Sequence, residues 1–200
     1  MALVLEGEHL VEVRWQTDPY SLFSQTALVL PDAGITVVAV KRTYKIGDNG
    51  PAGGIIFYDK GKASEGWRFL EAAPSDQSTG IQWYNGNYID IKDAVATGIG
   101  TGKANTAAII AAQGAGSFAA ALCDSLVIGD YDDWFLPSKD ELNLWYTILK
   151  KAGLGGFGGS WFWSSSQYSS NGAWRQDFSD GKQSLYIKSS KDSVRACRAF

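Results

Sequence analysis

The chain has one histidine, His9, and two cysteines, Cys123 and Cys197, among 200 residues. A His-dependent triad or His-rich metal site would have to be built on that one residue near the N-terminus. Two cysteines are too few for a disulfide framework or a four-cysteine zinc site. No block of like charge interrupts the mixture of 21 acidic and 18 basic residues. A basic stripe for a phosphate backbone is therefore missing, and no nucleic-acid partner is expected. Apolar runs stop short of the about 18 to 20 residues that cross a bilayer, so no direct membrane insertion is expected. The opening Met1-Ala2-Leu3-Val4-Leu5-Glu6-Gly7-Glu8 lacks the basic and long apolar regions of a signal peptide. Nothing in this inventory calls for a cofactor.

What is present is apolar and aromatic. A hydrophobic content of 45% suffices for one compact domain plus a small extension. The 8 Trp, 9 Tyr and 9 Phe fall partly in Gly- and Ser-rich stretches. Large rings there either cover a core poor in helices or line a surface.

Residues 1–43 carry β-type runs, Leu10-Val11-Glu12-Val13-Arg14-Trp15 and Gly34-Ile35-Thr36-Val37-Val38-Ala39-Val40, separated by turn signals at Asp18-Pro19 and Pro31-Asp32-Ala33-Gly34. They read as a small N-terminal β extension: the end of a preceding domain, an oligomerisation arm or a first hairpin. From residue 44 to 200 the texture is that of a separate domain. Gly47-Asp48-Asn49-Gly50-Pro51-Ala52-Gly53-Gly54 is a dense turn signal before the short apolar strand Ile55-Ile56-Phe57-Tyr58. A phosphate cradle would require a Gly-Lys-Ser/Thr ending and a following helix, and neither is there. Gly66 to Pro74 reads as a second strand stopped by proline, and Ile81-Gln82-Trp83-Tyr84 as a third.

Asn105 to Leu126 reads as the first helix, with Asn105 as N-cap and an apolar stripe through Ile109, Ala112, Phe118, Ala119 and Leu122, weakened by Gly114 and Gly116. The second begins after Pro137, where Ser138-Lys139-Asp140-Glu141 spells a capping box; Leu142, Trp145, Tyr146 and Leu149 then share a face. The last forty residues read as antiparallel strands. Over Ala173 to Phe178 the alternation puts Trp174, Gln176 and Phe178 on one face and Arg175, Asp177 and Ser179 on the other, with Trp174 and Phe178 toward the core and Arg175 and Asp177 outward; beyond the turn Leu185 and Ile187 alternate with Ser184, Tyr186 and Lys188. Asp180-Gly181 is a hairpin turn, and Ser193 to Phe200 is a final strand. Two helices enclosed by short strands and long loops define an α+β class.

Four ordered segments carry a resemblance: Tyr44 through Tyr58, Asp132-Asp133-Trp134-Phe135-Leu136-Pro137-Ser138-Lys139-Asp140-Glu141-Leu142, Trp163-Ser164-Ser165-Ser166, and Val194-Arg195-Ala196-Cys197-Arg198-Ala199-Phe200. They resemble bacterial and phage surface domains of C-type-lectin-like fold related to the collagen-like adhesin C-terminal domain, and most of all the variable proteins of diversity-generating retroelements. The resemblance implies a C-type-lectin-like ligand-binding domain over 44–200. Its function would be receptor binding or adhesion at a cell surface, as a secreted protein or on a virion, with an unidentified protein or glycan as ligand. It implies that template adenines are rewritten, so that Asn codons scatter among residue types. On this sequence the implied ligand-binding positions are Ser169, Ser170, Asn171, Arg175, Asp177, Ser179, Asp180, Ser184, Leu185, Tyr186, Ile187, Ser189, Ser190 and Asp192; Ser193 has the same scattered character. Ala173-Trp174, Phe178 and Gly181 would be fixed scaffold. A disulfide between Cys123 and Cys197 is implied by similar pairings in lectin-like domains.

Departures from the wider family shape the expectation further. Relatives resembling formylglycine-generating enzyme use a pair of active cysteines that the positions of Cys123 and Cys197 do not provide, so no enzymatic activity is expected. The Glu-Pro-Asn and Trp-Asn-Asp motifs of calcium-dependent lectins do not occur, and Asp130, Asp132 and Asp133 read as a solvated turn rather than a cation site. Two other readings compete. One is a non-diversified glycan- or glycosaminoglycan-binding adhesin, suggested by the aromatics and by Lys182, Lys188, Lys191, Arg195 and Arg198. The other is an enzyme using carboxylates such as Asp132 and Glu141, which the turn and the capping box already employ structurally.

Overall fold

A computed structural model describes residues 11–18, 21–29, 35–36 and 44–200. His9, Leu10, the leading octapeptide and Val37 to Val40 lie outside the described residues. Within the N-terminal extension, β1 (Val11–Asp18), β2 (Ser21–Val29) and β3 (Ile35–Thr36) form an antiparallel sheet in the order β1-β2-β3. Residues 45–199 form a compact unit of their own.

That unit is α+β and mostly antiparallel. Its first strands are β4 (Ile55–Ser64), β5 (Trp67–Ala72) and β6 (Ser78–Ile81); the third ends at Ile81, where the expected run Ile81 to Tyr84 begins, and Trp83 beyond it is fully buried. Helices α1 (Gly102–Gln113), α2 (Ala119–Asp124) and α3 (Lys139–Leu144) follow, α3 continuing as a π-helical stretch over Trp145–Lys150. Then come β7 (Trp161–Gln167), β8 (Gly172–Asp177), β9 (Gln183–Ile187), β10 (Asp192–Val194) and β11 (Cys197–Ala199). One sheet has the order β6-β10-β7-β8-β9, with a parallel β10–β7 contact; the other is β11-β5-β4. No helix among the described residues is long and apolar enough to cross a membrane.

The helix expected over Asn105 to Leu126 is two helices. Gly114 ends α1 at φ 71, a left-handed conformation costly for any side chain, and a non-helical link leads to extended Phe118. Asn105 is not the cap; it lies inside α1, fully buried, its amide donating to Ala96 O at 2.7 Å and Ser165 Oγ at 3.3 Å. The capping box at Ser138 forms as its spelling predicts: Glu141 N–H donates to Ser138 Oγ, and Ser138 N–H to Glu141 Oε2 at 2.7 Å. Glu141 does more than close this box. Its Oε1 accepts from Gly100 N–H at 2.7 Å, so one buried carboxylate ties the 98–102 loop to α3.

The glycine-rich turn over 47–54 also encloses a carboxylate, that of Glu71 on β5. Ala52 N–H and Gly54 N–H donate to it at 3.3 and 3.1 Å, and a Cβ on Gly50 would overlap it. Arg198 completes an internal bridge, with 2.8 Å to Glu71 and 2.6 Å to Asp133. Asp133 is thus committed to Arg198. Among the described residues no group of three His, Cys, Asp or Glu side chains is placed to hold a metal ion. The loop supplies the close backbone approach that phosphate loops use, applied here to the protein's own anion.

Two apolar clusters fill the unit. One gathers Trp83, Ile109, Phe118, Trp134, Trp163 and Val194; the other gathers Phe57, Leu70, Trp145, Phe157, Phe162 and Phe178. Phe162 and Trp163, adjacent on β7, enter different clusters because successive strand residues face opposite ways. Cys123 and Cys197 are both buried free thiols, so the disulfide implied by the resemblance does not hold α2 to β11. Burial pushes both thiols well above their usual range.

Candidate recognition surface

The β8–β9 hairpin is the outer end of the five-stranded sheet, and its register fixes which side chains meet. Gly172 opposes Ile187, Ala173 opposes Tyr186, Trp174 opposes Leu185, Arg175 opposes Ser184 and Gln176 opposes Gln183. The turn at Asp180-Gly181 forms where its spelling places it, with Gly181 at φ 85 against the Tyr146 ring. Directly opposed residues project to the same side, so Arg175, Asp177, Ser184 and Tyr186 share one face. Leu185 and Ile187 project to the other, beside Trp174.

On the first face Arg175 is not the outward residue that alternation suggests. Its side chain is 11% exposed and donates from one terminal nitrogen to both carboxylate oxygens of Asp192 at 3.1 Å; Asp192 is itself 6% exposed. The guanidinium lies 4.0 Å from the Trp161 ring centroid and 3.4 Å from that of Tyr186. The result is a stack, Trp161 below, Arg175 between and Tyr186 outermost with 46% exposure. Each cation–ring contact is worth about 0.5–2 kcal/mol. Arg175 therefore holds Tyr186 in place more than it meets solvent, and Asp192, with Ser190 Oγ donating to it at 3.2 Å, is framework. Ser193 is buried as well.

On the second face Trp174, expected in the core, is half-buried, while its neighbour Ala173, on the first face, is fully buried. The Trp174 ring lies under Lys139 Nζ at 4.6 Å and edge-on to Tyr168 at 6.2 Å. Tyr168 is 63% exposed, Leu185 38% and Ile187 45%. Tyr168, Trp161 and Lys139 belong to this surface, and the sequence reading passed over them. Tyr168 lies two residues beyond the Trp163-Ser164-Ser165-Ser166 motif and directly precedes Ser169-Ser170-Asn171, a signal that would have found it.

The remaining expected positions divide by location. Ser170, Asn171, Ser179 and Asp180 are exposed in the turns at the two ends of β8. Ser169 and Asp177 are half-buried and committed locally: Ser169 Oγ donates to Asn171 Oδ1 at 2.8 Å, and Asp177 Oδ1 accepts from Ser179 N–H at 2.8 Å. Ser184, Ser189 and Ser190 are half-buried. Lys188, at the end of β9, is fully buried; its Nζ donates to Ile89 O at 3.0 Å and Gln167 Oε1 at 2.6 Å and faces the Trp83 ring. Desolvation pulls its pKa to about 8, against the opposing charge of Asp90.

Burial also removes the basic patch that would have favoured a glycosaminoglycan. Of its five members, Lys188, Arg195 and Arg198 are buried, Arg195 pairing with Asp76 at 2.6 Å and Arg198 with Glu71 and Asp133. Only Lys182 and Lys191 are exposed.

The exposed rings and aliphatic groups thus lie on both faces of the hairpin edge, Tyr186 on one and Tyr168, Leu185 and Ile187 on the other, set among short hydroxyl and amide side chains. Such a mixture suits recognition, with rigid rings supplying area at small entropic cost and Ser and Asn supplying adaptable hydrogen bonds. Compared with known proteins, the chain matches no family model and no curated protein.

Proposed function

We propose that residues 44–200 are a C-type-lectin-like ligand-binding domain, not an enzyme, that serves receptor binding or adhesion at a cell surface, as a secreted protein or on a virion. Its diversified face is the β8–β9 hairpin with the turns at its ends, and retroelement mutagenesis of the gene's 3′ end generates that diversity. The observation that carries the reading is the division within the hairpin. Ala173, Gln176 and Phe178 are buried, whereas Tyr186, Leu185, Ile187, Ser170, Asn171, Ser179 and Asp180 are exposed on the same two strands and their turns. Exposed positions tolerate exchange within about 0.5 kcal/mol, so a surface of this kind varies while its support stays folded.

The DNA beside the gene tests the proposal. A second, near-identical copy of the segment encoding roughly Ser164 to Phe200, differing at adenines, is expected. Without such a copy, diversification is refuted and a fixed adhesin remains. A display library randomised at Ser170, Asn171, Ser179, Leu185, Tyr186 and Ile187 tests binding separately. Folded binders to unrelated proteins should emerge, and a library that yields none, or that unfolds, refutes the display role.

A further inference from the structure

Strand β9 ends its sheet, and the direction of its backbone bonds follows from the hairpin register. Asp177 N–H donates to Lys182 O and Lys188 N–H to Asn171 O, both at 2.9 Å, which fixes 177/182 and 171/188 as bonded pairs. Bonded pairs alternate along an antiparallel ladder, so 175/184 and 173/186 are bonded too. Ser184 and Tyr186 therefore turn their N–H and C=O groups toward β8, and Gln183, Leu185 and Ile187 turn theirs outward. Ile187 O is taken by Ser190 N–H at 3.0 Å. Among the described residues none bonds the backbone N–H or C=O of Leu185.

Exposed edges are ordinarily guarded by proline, a bulge or a charge placed on the strand. Gln183-Ser184-Leu185-Tyr186-Ile187 has no proline and no charge, and its pairing with β8 runs without a register shift, unlike β1–β2, β4–β5 and β7–β8. The nearest cation on its C-terminal side, Lys188, is withdrawn into the interior.

We propose that this edge pairs antiparallel with β9 of a second copy of the chain, about a two-fold axis through Leu185, joining two five-stranded sheets into one. The register follows from the outward groups. Leu185 exchanges two backbone hydrogen bonds with its counterpart, Gln183 opposes Ile187, and each Tyr186 ring lies across from the small Ser184. Charge favours a second copy in this orientation. The exposed Lys182 residues lie at opposite ends, about 20 Å apart at about 3.3 Å per residue, beyond the about 8 Å screening length. A parallel arrangement would set them side by side. The antiparallel one brings the hairpin tip of one copy, with exposed Asp180, toward the 188–191 end of the other, with exposed Lys191. The interface is isologous and closes at two copies. It needs no ligand and so stands or falls independently of the recognition role.

Sedimentation velocity on the full chain between about 1 µM and 1 mM tests this. A reversible dimer is expected, weakened at least about tenfold by Leu185→Lys, which adds an edge charge at an exposed position and leaves the melting temperature of dilute, monomeric protein unchanged. Mild oxidation of Leu185→Cys is expected to cross-link copies through residue 185, whereas Ile187→Cys, displaced from the axis, is not. A monomer at every concentration overturns the proposal, as does a dimer indifferent to Leu185→Lys. Equal cross-linking of both cysteine variants overturns the register.

Discussion

Replacing Glu141 by glutamine should change how stability depends on pH, and the geometry sets both sign and size. The carboxylate is fully buried and accepts from the N–H groups of Ser138 and Gly100. Desolvation nonetheless outweighs these donors and raises its pKa from 4.5 to about 7. The native state then holds the Glu141 proton more tightly than the unfolded chain does. Stability from that difference is fully present below pH 4.5 and is lost as pH rises through 7. At about 1.4 kcal/mol per pH unit the loss is about 3 kcal/mol. Glutamine cannot titrate, and its NH2 group would confront one of the backbone donors, at a cost of about 1–3 kcal/mol. Urea unfolding of both proteins from pH 4.5 to 8.5, followed by tryptophan fluorescence, separates these effects, because the other carboxylates are common to both. Wild type should lead clearly at pH 4.5, and its lead should shrink by about 3 kcal/mol by pH 8.5. A gap constant with pH would refute the reasoning: Glu141 would then be ionised throughout, with the N–H donors rather than desolvation setting its charge.

Arg175→Ala should destabilise the domain by about 3 kcal/mol, because Asp192 is left buried without its partner, whereas Ser179→Asn and Leu185→Ser should stay within about 0.5 kcal/mol; thermal melts of the three variants check the contrast. Gly181→Ala should cost clearly more than Gly153→Ala. Both glycines have positive φ, worth about 1–2 kcal/mol for an added Cβ, but only at 181 does that Cβ run into a ring, that of Tyr146, and urea midpoints would show the difference. A thiol reagent should find no reactive cysteine in the native protein and two after unfolding without reductant; fewer than two would reveal a bond between Cys123 and Cys197.

Short-range signals were legible wherever the physics is short-range. The capping box at Ser138 and Glu141, the Asp180-Gly181 turn and the strands near Ile55, Trp67 and Ala173 depend on residues a few positions apart, and the structure has them where the spelling puts them. The break after Gln113 was half-visible: Gly114 and Gly116 were weak points in a helical pattern, but the positive φ of Gly114 and the extended Phe118 arise from packing that no local pattern records. Alternation separated the Arg175 face from the Trp174 face correctly and misjudged depth. A face of a sheet is outward only if nothing covers it, and Trp161, Tyr186 and Asp192, from three other segments, cover Arg175.

The sequence by itself determined the α+β class, the hairpin and which of its residues share a face, because side-chain period and turn chemistry are properties of neighbouring residues. Only the tertiary structure decided which charged groups are withdrawn. No local pattern marks Lys188, Arg195, Arg198, Glu71 or Glu141 as interior, and each is buried beside partners tens of residues away. Burying a charge is tolerable only where distant donors and acceptors converge on it, and that convergence exists once the chain has folded.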